Sequence, residues 1–282
     1  EEIDFRLDER VIGLVDAIDA DRCDGDADSR AARSRCDRIL KANDAIQVRL
    51  ARHGEGPAVD SARVVERVRI SCQAALKPAF VMHLGDIVHP LPCSKGFDPA
   101  SANYRRLEAT FDCPVHLTPG NHDIGDRRWP LARVAGIEPY FIRDYERVFG
   151  AQWLDWTHGP CHFYSLNTSL MNSGLPDEQT QREWFTRKLD ESPAGERKFL
   201  ALHYPPYLRS ASEPGHYDNI DEPARSWLLS ILERHQFEAV FCGHVHNFWY
   251  DQYASTEIYL LPSTAFVRQD YSDLQRIKPP GE

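Results

Sequence analysis

The segment Phe237-Glu-Ala-Val-Phe-Cys-Gly-His-Val-His246 joins a short apolar run to a cluster of polar residues. The run Phe237–Cys242 is short, apolar and followed by a glycine, which is typical of a buried β-strand. His244 and His246 come next at alternate positions, so their side chains face the same side where the strand ends. On its own, this pair is compatible with a metal site and with two ordinary structural histidines.

Short apolar runs of the same character recur along the chain after residue 76. From them we predict six strands, at residues Ala79–Leu84, Val115–Thr118, His162–Leu166, Phe199–Leu202, Phe237–Cys242 and Ile258–Leu261. Amphipathic segments alternate with these runs, which is typical of βα units in an α/β protein. Helices are expected to follow Asp177 and Asp221, each of which is a candidate capping residue before apolar residues at helical spacing.

Polar clusters directly follow four of the predicted strands. They are Gly85-Asp86, Gly120-Asn121-His122-Asp123, His203-Tyr204-Pro205 and Gly243-His244-Val245-His246. Ligands of open α/β sheets bind beyond the carboxyl ends of the strands, so parallel neighbouring strands would bring these clusters into one crevice. Carboxylate, amide oxygen and imidazole together suit Mn²⁺, Fe or Zn²⁺, whereas Ca²⁺ and Mg²⁺ prefer oxygen ligands alone. The glycines leave room for a metal ion and a phosphate beside the backbone.

The order of these clusters resembles that of the calcineurin-like metallophosphoesterase family. The segments Thr118-Pro-Gly-Asn-His-Asp-Ile124 and Phe241-Cys-Gly-His-Val-His246 carry the resemblance, which covers about residues 78 to 266. It implies an α/β (α+β) fold in which a double β-sandwich is flanked by helices. It also implies that the protein is a hydrolase, which uses metal-activated water on a phosphodiester or phosphomonoester of a small molecule.

The resemblance further implies a role for each residue of the clusters. Asp86 would bridge two metal ions. The other implied ligands are Asn121, His203 and His244 for one ion and His246 for the other. His122 would be the catalytic histidine, and Asp123 would orient its imidazole. The expected cofactors are two divalent or trivalent ions of Mn, Fe or Zn, which would clamp the phosphate and lower the pKa of a bridging water.

One motif of the family is missing from the sequence before Asp86. The family has Asp-x-His after an N-terminal strand, whereas the histidines before Asp86 are His53 and His83, and neither fits. Asp16, after the apolar run Val11–Val15, is a candidate for a diverged motif, although this run also has helical spacing. Three hypotheses stay open: the first strand lies upstream of residue 1, the motif has become an acidic cluster, or one metal position is lost.

Three further features are candidates for a role around the site. Residues 28–76 have helical spacing broken by a turn at 53–57, which predicts an N-terminal pair of helices that is either a cap or a layer supporting the sheet. The long polar loop at residues 204–220 is expected to line the substrate pocket. Its candidate contacts are Arg209, His216, Tyr217 and Asn219, each also compatible with a solvated loop. His89 is either a substitute ligand or a structural residue.

The composition is that of one soluble globular domain. Its 282 residues are 42% hydrophobic and 27% charged, so we predict a single domain over residues 1–282. A net charge of −10 argues against nucleic-acid binding. No apolar stretch approaches the roughly 20 residues of a membrane span, so no membrane partner is expected. Seven scattered cysteines without a CxxC pair predict free thiols and a cytoplasmic location.

These patterns together predict a metallophosphoesterase whose partner is a small phosphoester. The alternative is a degenerate relative that holds one metal ion or binds phosphate without catalysis. The missing Asp-x-His favours this alternative, and the intact His122 argues against it. The substrate, the substrate-binding residues and the oligomeric state are not predicted.

Overall fold

The computed structural model of the chain describes residues 78–89, 91–92, 94–128, 135–263 and 268. The predicted helices at 28–76 and the candidate Asp16 lie outside these residues. Contacts divide the chain into two compact units. The described residues 78–82 and 103–116 belong to the smaller unit, and the other described residues belong to the larger unit. All the predicted site residues from Asp86 onward lie in the larger unit, and the single domain over residues 1–282 stays a prediction.

Eight strands and five α-helices lie within the described residues. The strands are β1 (Val81–His83), β2 (Val115–Leu117), β3 (Leu154–His158), β4 (Cys161–Ser165), β5 (Arg197–Leu202), β6 (Ala239–Cys242), β7 (Trp249–Tyr253) and β8 (Thr256–Leu260). The helices are α1 (Phe97–Glu108), α2 (Asn121–Ile124), α3 (Pro139–Phe149), α4 (Pro176–Asp190) and α5 (Ala224–His235), with a 3₁₀ turn at Thr168–Leu170. All six predicted strands are confirmed, as β1, β2, β4, β5, β6 and β8.

The strands form a sheet of two and a sheet of six. In the small sheet, Val81 N donates to Pro114 O and Thr118 N donates to His83 O, so β1 and β2 run parallel. The large sheet has the order β3-β4-β5-β6-β8-β7. Its four central strands are parallel, and its edge strands β3 and β7 are antiparallel to their neighbours. We predicted an α/β (α+β) fold with a double β-sandwich flanked by helices, and the mixed α/β structure with its large sheet flanked by helices confirms the fold class.

Helices α4 and α5 pack against one face of the large sheet. Alternate residues of the central strands point to this face, and they include Leu200, Leu202, Val240, Ile258 and Leu260. Phe185 of α4 and Leu228 of α5 are fully buried in the same cluster. Truncating a core phenylalanine to alanine costs about 3–5 kcal/mol of stability, so such residues fix the helices on the sheet.

The opposite face of the large sheet carries one aromatic ring from every strand. In strand order, these residues are Trp156, Phe163, Phe199, Phe241, Tyr259 and Tyr250. Successive ring centroids lie 5.0–6.5 Å apart, and four of the five pairs are stacked within 20° of parallel. Aromatic pairs of this kind add to the stability of cross-strand contacts. This row of aromatic rings stabilises the pairing of the six strands.

The N-cap residues of α4 and α5 differ from the predicted ones. Asp177 lies inside the first turn of α4, because Pro176 is the first helical residue and Leu175 is the N-cap. Proline suits the first position because its missing N–H is not needed there. Helix α5 begins at Ala224, directly after Pro223, which is its N-cap. The predicted helices are therefore confirmed, but neither aspartate is the capping residue.

Two general expectations bear on the chain as a whole. Among the helices of the described ranges, none combines the length and the apolar composition needed to cross a membrane. Cys113, Cys161 and Cys242 are free cysteines, as the scattered spacing predicts. The cytoplasmic location stays a prediction.

Candidate functional site

The predicted ligands approach each other where four strands end. Asp86 lies three residues after β1, and Asn121 opens α2 just after β2. His203 directly follows β5, and His244 follows β6 after one glycine. Because β5 and β6 are parallel neighbours, their carboxyl ends lie at the same edge of the large sheet. The convergence predicted from strand order is therefore present for these four residues.

Four side-chain atoms of these residues form a compact cluster. His203 Nε2 lies 2.9 Å from Asn121 Oδ1 and 3.4 Å from Asp86 Oδ1. His244 Nδ1 lies 3.2 Å from Asn121 Oδ1 and 3.2 Å from His203 Nε2. Ligands about 2.1 Å from one shared ion are separated by about 3.0 Å in octahedral geometry and about 3.4 Å in tetrahedral geometry. The spacing of the cluster therefore fits a single metal ion.

The neighbours of the two histidines direct their lone pairs into the cluster. His203 Nδ1 lies 2.7 Å from Leu84 O, an acceptor, so Nδ1 carries the proton and Nε2 has the lone pair. His244 Nε2 lies 3.3 Å from Asp218 Oδ1, so its proton belongs on Nε2 and its Nδ1 has the lone pair. Four electron-rich atoms thus face one another, and a bound cation would satisfy them.

Protonation near neutral pH also suits a metal ion. Burial lowers the pKa of His244 and of His246 to about 4, so both imidazoles are neutral at pH 7. Burial alone would raise the pKa of Asp86, but the nearby imidazoles of His203 and His122 and the backbone N–H of His122 outweigh it and lower the pKa. Metal ligands must be deprotonated, so these side chains are ready to bind an ion.

Three of the predicted ligands have left-handed backbone conformations. The φ angles are 54° at Asp86, 68° at His244 and 57° at His246. Such angles are uncommon for residues other than glycine and cluster at functional sites, where the surrounding structure holds them in place. Gly85 also has a positive φ, and a Cβ there would lie 2.5 Å from His203 Nδ1. A glycine is therefore required where the loop of Asp86 passes His203.

His122 lies beside the cluster without being one of its four ligands. Its backbone N–H donates to Asp86 Oδ1 at 3.0 Å, which joins α2 to the loop after β1. Its half-buried ring stacks on that of His89, with centroids 4.7 Å apart and planes 30° apart. Of the two alternatives for His89, the stack favours the structural one. The catalytic role of His122 stays a prediction.

Asp123 has a different position from the predicted one. Its carboxylate accepts hydrogen bonds from Val88 N at 2.9 Å and from Gly120 N at 2.8 Å. Burial and the charge of Asp86 raise the pKa of this fully buried carboxyl to about 8. We expected Asp123 to orient the imidazole of His122, but both of its oxygens face backbone amides. Asp123 instead joins the two loops that carry Asp86 and Asn121.

His246 is close to the cluster but is not part of its compact set. The three histidine and carboxylate ligands that meet are Asp86, His203 and His244. His246 interacts electrostatically with Asp86 and His203 of the cluster and with His122. The other ligands of a second metal ion would come from the missing Asp-x-His, and residues 1–77 lie outside the described part. The second ion stays a prediction.

Of the four candidate contacts in the loop at residues 204–220, one lies at the site. The hydroxyl of Tyr217 lies 3.4 Å from Asn121 Nδ2, and its ring centroid lies 5.2 Å from that of His244. His216 and the buried Asn219 instead contact Glu213 of the same loop. Arg209 is exposed. These positions favour Tyr217 and assign His216 and Asn219 to the structure of the loop.

The sequence did not identify two charged residues near the site. Asp218, whose side chain is 6% exposed, lies beside His244 and forms an ion pair with Arg268, with 2.6 Å between Asp218 Oδ1 and Arg268 Nη1. A polar loop residue and an arginine 50 positions further on share no local pattern. The polar run from His216 to Asn219 was the sequence feature that pointed to a role of this loop near the site.

Comparisons with known proteins identify a family and relatives of this chain. The sequence profile described as calcineurin-like phosphoesterase matches residues 43–248. The serine/threonine-protein phosphatase CPPED1 of Rattus norvegicus is 27% identical over 178 residues, which cover 61% of this chain and 54% of that protein. The 3',5'-cyclic adenosine monophosphate phosphodiesterase CpdA of Escherichia coli (strain K12) is 27% identical over 157 residues, which cover 53% and 50%. The chain spans about half the length of the curated relatives it matches.

Among solved structures, the purple acid phosphatase PPD1 from yellow lupin seeds matches with a TM-score of 0.48 and 15% identity. The match covers 71% of this chain and 39% of that one. The family profile covers well over half of the 282 residues and includes every residue of the cluster. The chain therefore belongs to the calcineurin-like phosphoesterase family.

Proposed function

We propose that this chain hydrolyses a phosphoester of a small molecule in a metal-dependent reaction at the cluster of Asp86, Asn121, His203 and His244. The observation that carries the proposal is the convergence of four ligand atoms beside His122, in which His203 Nε2 lies 2.9–3.4 Å from an atom of each of the other three residues. Membership of a phosphoesterase family supports it, as do relatives named as a phosphatase and a phosphodiesterase.

The ligand set indicates which metals suit the site. One carboxylate, one amide oxygen and two imidazoles favour Mn, Fe or Zn over Mg or Ca. Ions bound there would polarise the phosphoryl oxygens and lower the pKa of a water molecule. We propose two ions, with Asp86 shared between them and His246 as a ligand of the second. Electrostatic contact between Asp86 and His246 supports this arrangement.

We propose that His122 transfers a proton in the reaction. Its ring is half-buried at the edge of the cluster, where a substrate oxygen can approach it. Its backbone is fixed by the hydrogen bond to Asp86, and the stack with His89 restricts its ring. A protonated imidazole in this place would donate its proton to the leaving oxygen of the phosphoester.

The test is hydrolysis of bis-p-nitrophenyl phosphate and p-nitrophenyl phosphate with added Mn²⁺, by the wild type and by His122→Ala. We expect kcat to fall by about 10²–10⁴ in the variant, because a general acid contributes that much. Metal content should stay unchanged, because the hydrogen bond to Asp86 comes from the backbone of His122. The matched control is His235→Ala, which changes a histidine in the last turn of α5.

The two substrates also separate the relatives' activities, because one is a diester and the other a monoester. Equal activity of the wild type and His122→Ala would contradict the proposed role of His122. A wild type that binds metal and hydrolyses neither ester would contradict hydrolysis and favour a phosphate-binding relative.

A further inference from the structure

Tyr217 fixes the orientation of the amide group of Asn121. The hydroxyl oxygen of Tyr217 accepts from Asn121 Nδ2, 3.4 Å away. With Nδ2 turned to Tyr217, Asn121 Oδ1 faces His203 Nε2 and His244 Nδ1. An amide group rotated by 180° would present N–H groups to the cluster and could not bind a cation.

Asp218, the next residue, fixes the proton of His244. Its Oδ1 lies 3.3 Å from His244 Nε2, which is an ion-pair distance, and both side chains are buried. An anionic acceptor at Nε2 keeps the proton there, which leaves the lone pair on Nδ1 within the cluster. Two consecutive residues of one loop thus reach two different ligands of the same ion site.

Arg268 holds Asp218 in its position. The guanidinium lies 2.6 Å from Asp218 Oδ1 and 3.4 Å from Asp218 Oδ2, and it offsets the cost of burying that carboxylate. The backbone N–H of Arg268 donates to His246 O at 3.2 Å, so this arginine is anchored to the segment that carries His244. The ion pair therefore joins the loop at residues 204–220 to the ligand segment after β6.

The loop itself is fixed by an internal network around Glu213. Its carboxylate accepts from the backbone N–H groups of Leu208 and Arg209 at 2.9 and 2.8 Å. Two buried arginines donate to backbone carbonyls of the loop, Arg127 to His216 O and Arg225 to Glu213 O. Outer contacts orient metal ligands well only when their own positions are fixed, and this loop meets that condition.

We infer that Tyr217 and Asp218 are positioning residues of the metal site, which hold Asn121 and His244 in their binding orientation, and that Arg268 keeps Asp218 in place. This inference rests on the metal-dependent function proposed above. It assigns the loop at residues 204–220 to the support of the metal ligands, in addition to its predicted place beside the substrate. The affinity for the ion then depends on three residues that do not touch it.

The test is a calorimetric titration of the full chain, freed of metal by a chelator, with Mn²⁺ alone. We expect Asp218→Ala to weaken binding by about 10- to 100-fold, because loss of an outer partner of a metal ligand typically has this effect. Asp218→Asn should recover part of the loss, because an amide oxygen can still face His244 Nε2. Tyr217→Phe and Arg268→Gln should each weaken binding by about tenfold.

Matched controls come from a cluster of the same chemistry on β3 and β4. Asp155 lies 2.8 Å from a ring nitrogen of His162 and pairs with Lys188, and Tyr164 contacts the same histidine. Asp155→Asn and Tyr164→Phe should therefore keep wild-type Mn²⁺ affinity. The melting temperature of every variant is measured to show that it folds.

Wild-type affinity in Asp218→Asn, Tyr217→Phe and Arg268→Gln would overturn the inference. So would an equal loss of affinity in the two controls, because it would point to general loosening of the fold. If Asp218→Ala does not fold, the other three variants still decide the matter. The titration measures no hydrolysis, so its failure is distinguishable from a failure of the proposed function.

Discussion

Gly120 sets how closely the loop of Asp86 and helix α2 can approach each other. A Cβ at this position would lie 2.1 Å from Asp86 N and 2.4 Å from Asp86 Oδ1. Both atoms belong to the residue that is shared by the proposed metal positions, and they have little freedom to shift. The hydrogen bond from Gly120 N to Asp123 fixes the glycine from the other side. The contact between the two ligand-bearing segments therefore depends on the absence of a side chain.

We predict that Gly120→Ala lowers both Mn²⁺ content and stability. Overpacking of this kind costs about 1–3 kcal/mol, and here the strain falls on a metal ligand. Denaturant unfolding and elemental analysis would measure the two effects. Gly136→Ala is the matched control, because the nearest atoms to a Cβ there lie 3.9 and 4.0 Å away. Unchanged metal content in Gly120→Ala would show that the segments need not approach so closely.

Sequence patterns identify the proposed metal ligands far better than the residues proposed to support them. Asp86 and His244 follow predicted strands after a glycine, and this local pattern points to a site. His203 is a lone histidine, and only the order of the clusters singles it out. Asp218 and Arg268 meet across 50 positions, and no local pattern reports such a contact. Their roles depend on how the loop at residues 204–220 folds, which the sequence does not reveal.

At the level of elements, the central strands could be predicted and the edge strands could not. Strands buried on both faces are continuous apolar runs, as in β5 and β6. The edge strands β3 and β7 include Asp155, Thr157, Asp251 and Gln252, and such polar residues conceal a strand pattern. Helices α1 and α3 were also not among the predicted elements.

The loop at residues 204–220 has a stabilising centre at Glu213. Burial would raise the pKa of this carboxyl, but hydrogen bonds from His216, Asn219 and the backbone of Leu208 and Arg209 outweigh it and lower the pKa to about 2. A carboxyl group whose pKa is lower in the folded state stabilises the fold when it is ionised. Its contribution is complete above pH 4.5, the ordinary value, and is lost as the pH falls towards 2.

We predict that Glu213→Gln lowers the free energy of unfolding by about 1–3 kcal/mol at pH 7, because backbone N–H groups lose a charged acceptor. The difference from the wild type should shrink as the pH falls from 4.5 towards 2, since the wild-type carboxyl then becomes neutral. Urea unfolding at pH 7 and pH 3 would measure it. Glu183→Gln, on the exposed side of α4, should differ from the wild type by less than about 0.5 kcal/mol. If the free energies of unfolding of the wild type and Glu213→Gln differ by the same amount at pH 7 and pH 3, the charge of Glu213 does not have the proposed role.

At the scale of the whole molecule, metal binding should be linked to stability. The four ligands come from segments between residues 86 and 244, so an ion joins distant parts of the chain. An ion that binds only the folded state stabilises it in proportion to the logarithm of its concentration. Neutral His244 and ionised Asp86 at pH 7 mean that little free energy is spent on removing protons.

We predict that Mn²⁺ at about 100 times its Kd raises the free energy of unfolding by about 2.7 kcal/mol. The melting temperature should rise accordingly and return to its starting value when a chelator is added. His203→Ala, which removes one ligand, should show a much smaller increase. If the melting temperature of the wild type does not change when Mn²⁺ is added, the cluster does not bind the ion.

The central claim is that the cluster around Asp86 supports metal-dependent hydrolysis of phosphoesters. The most direct measurement is the hydrolysis of bis-p-nitrophenyl phosphate and p-nitrophenyl phosphate by the full chain before chelation, after chelation, and after Mn²⁺ is added back. We predict that chelation abolishes hydrolysis and that Mn²⁺ restores it in the wild type but not in Asp86→Ala. Hydrolysis that survives chelation, or that Asp86→Ala retains, would contradict the claim.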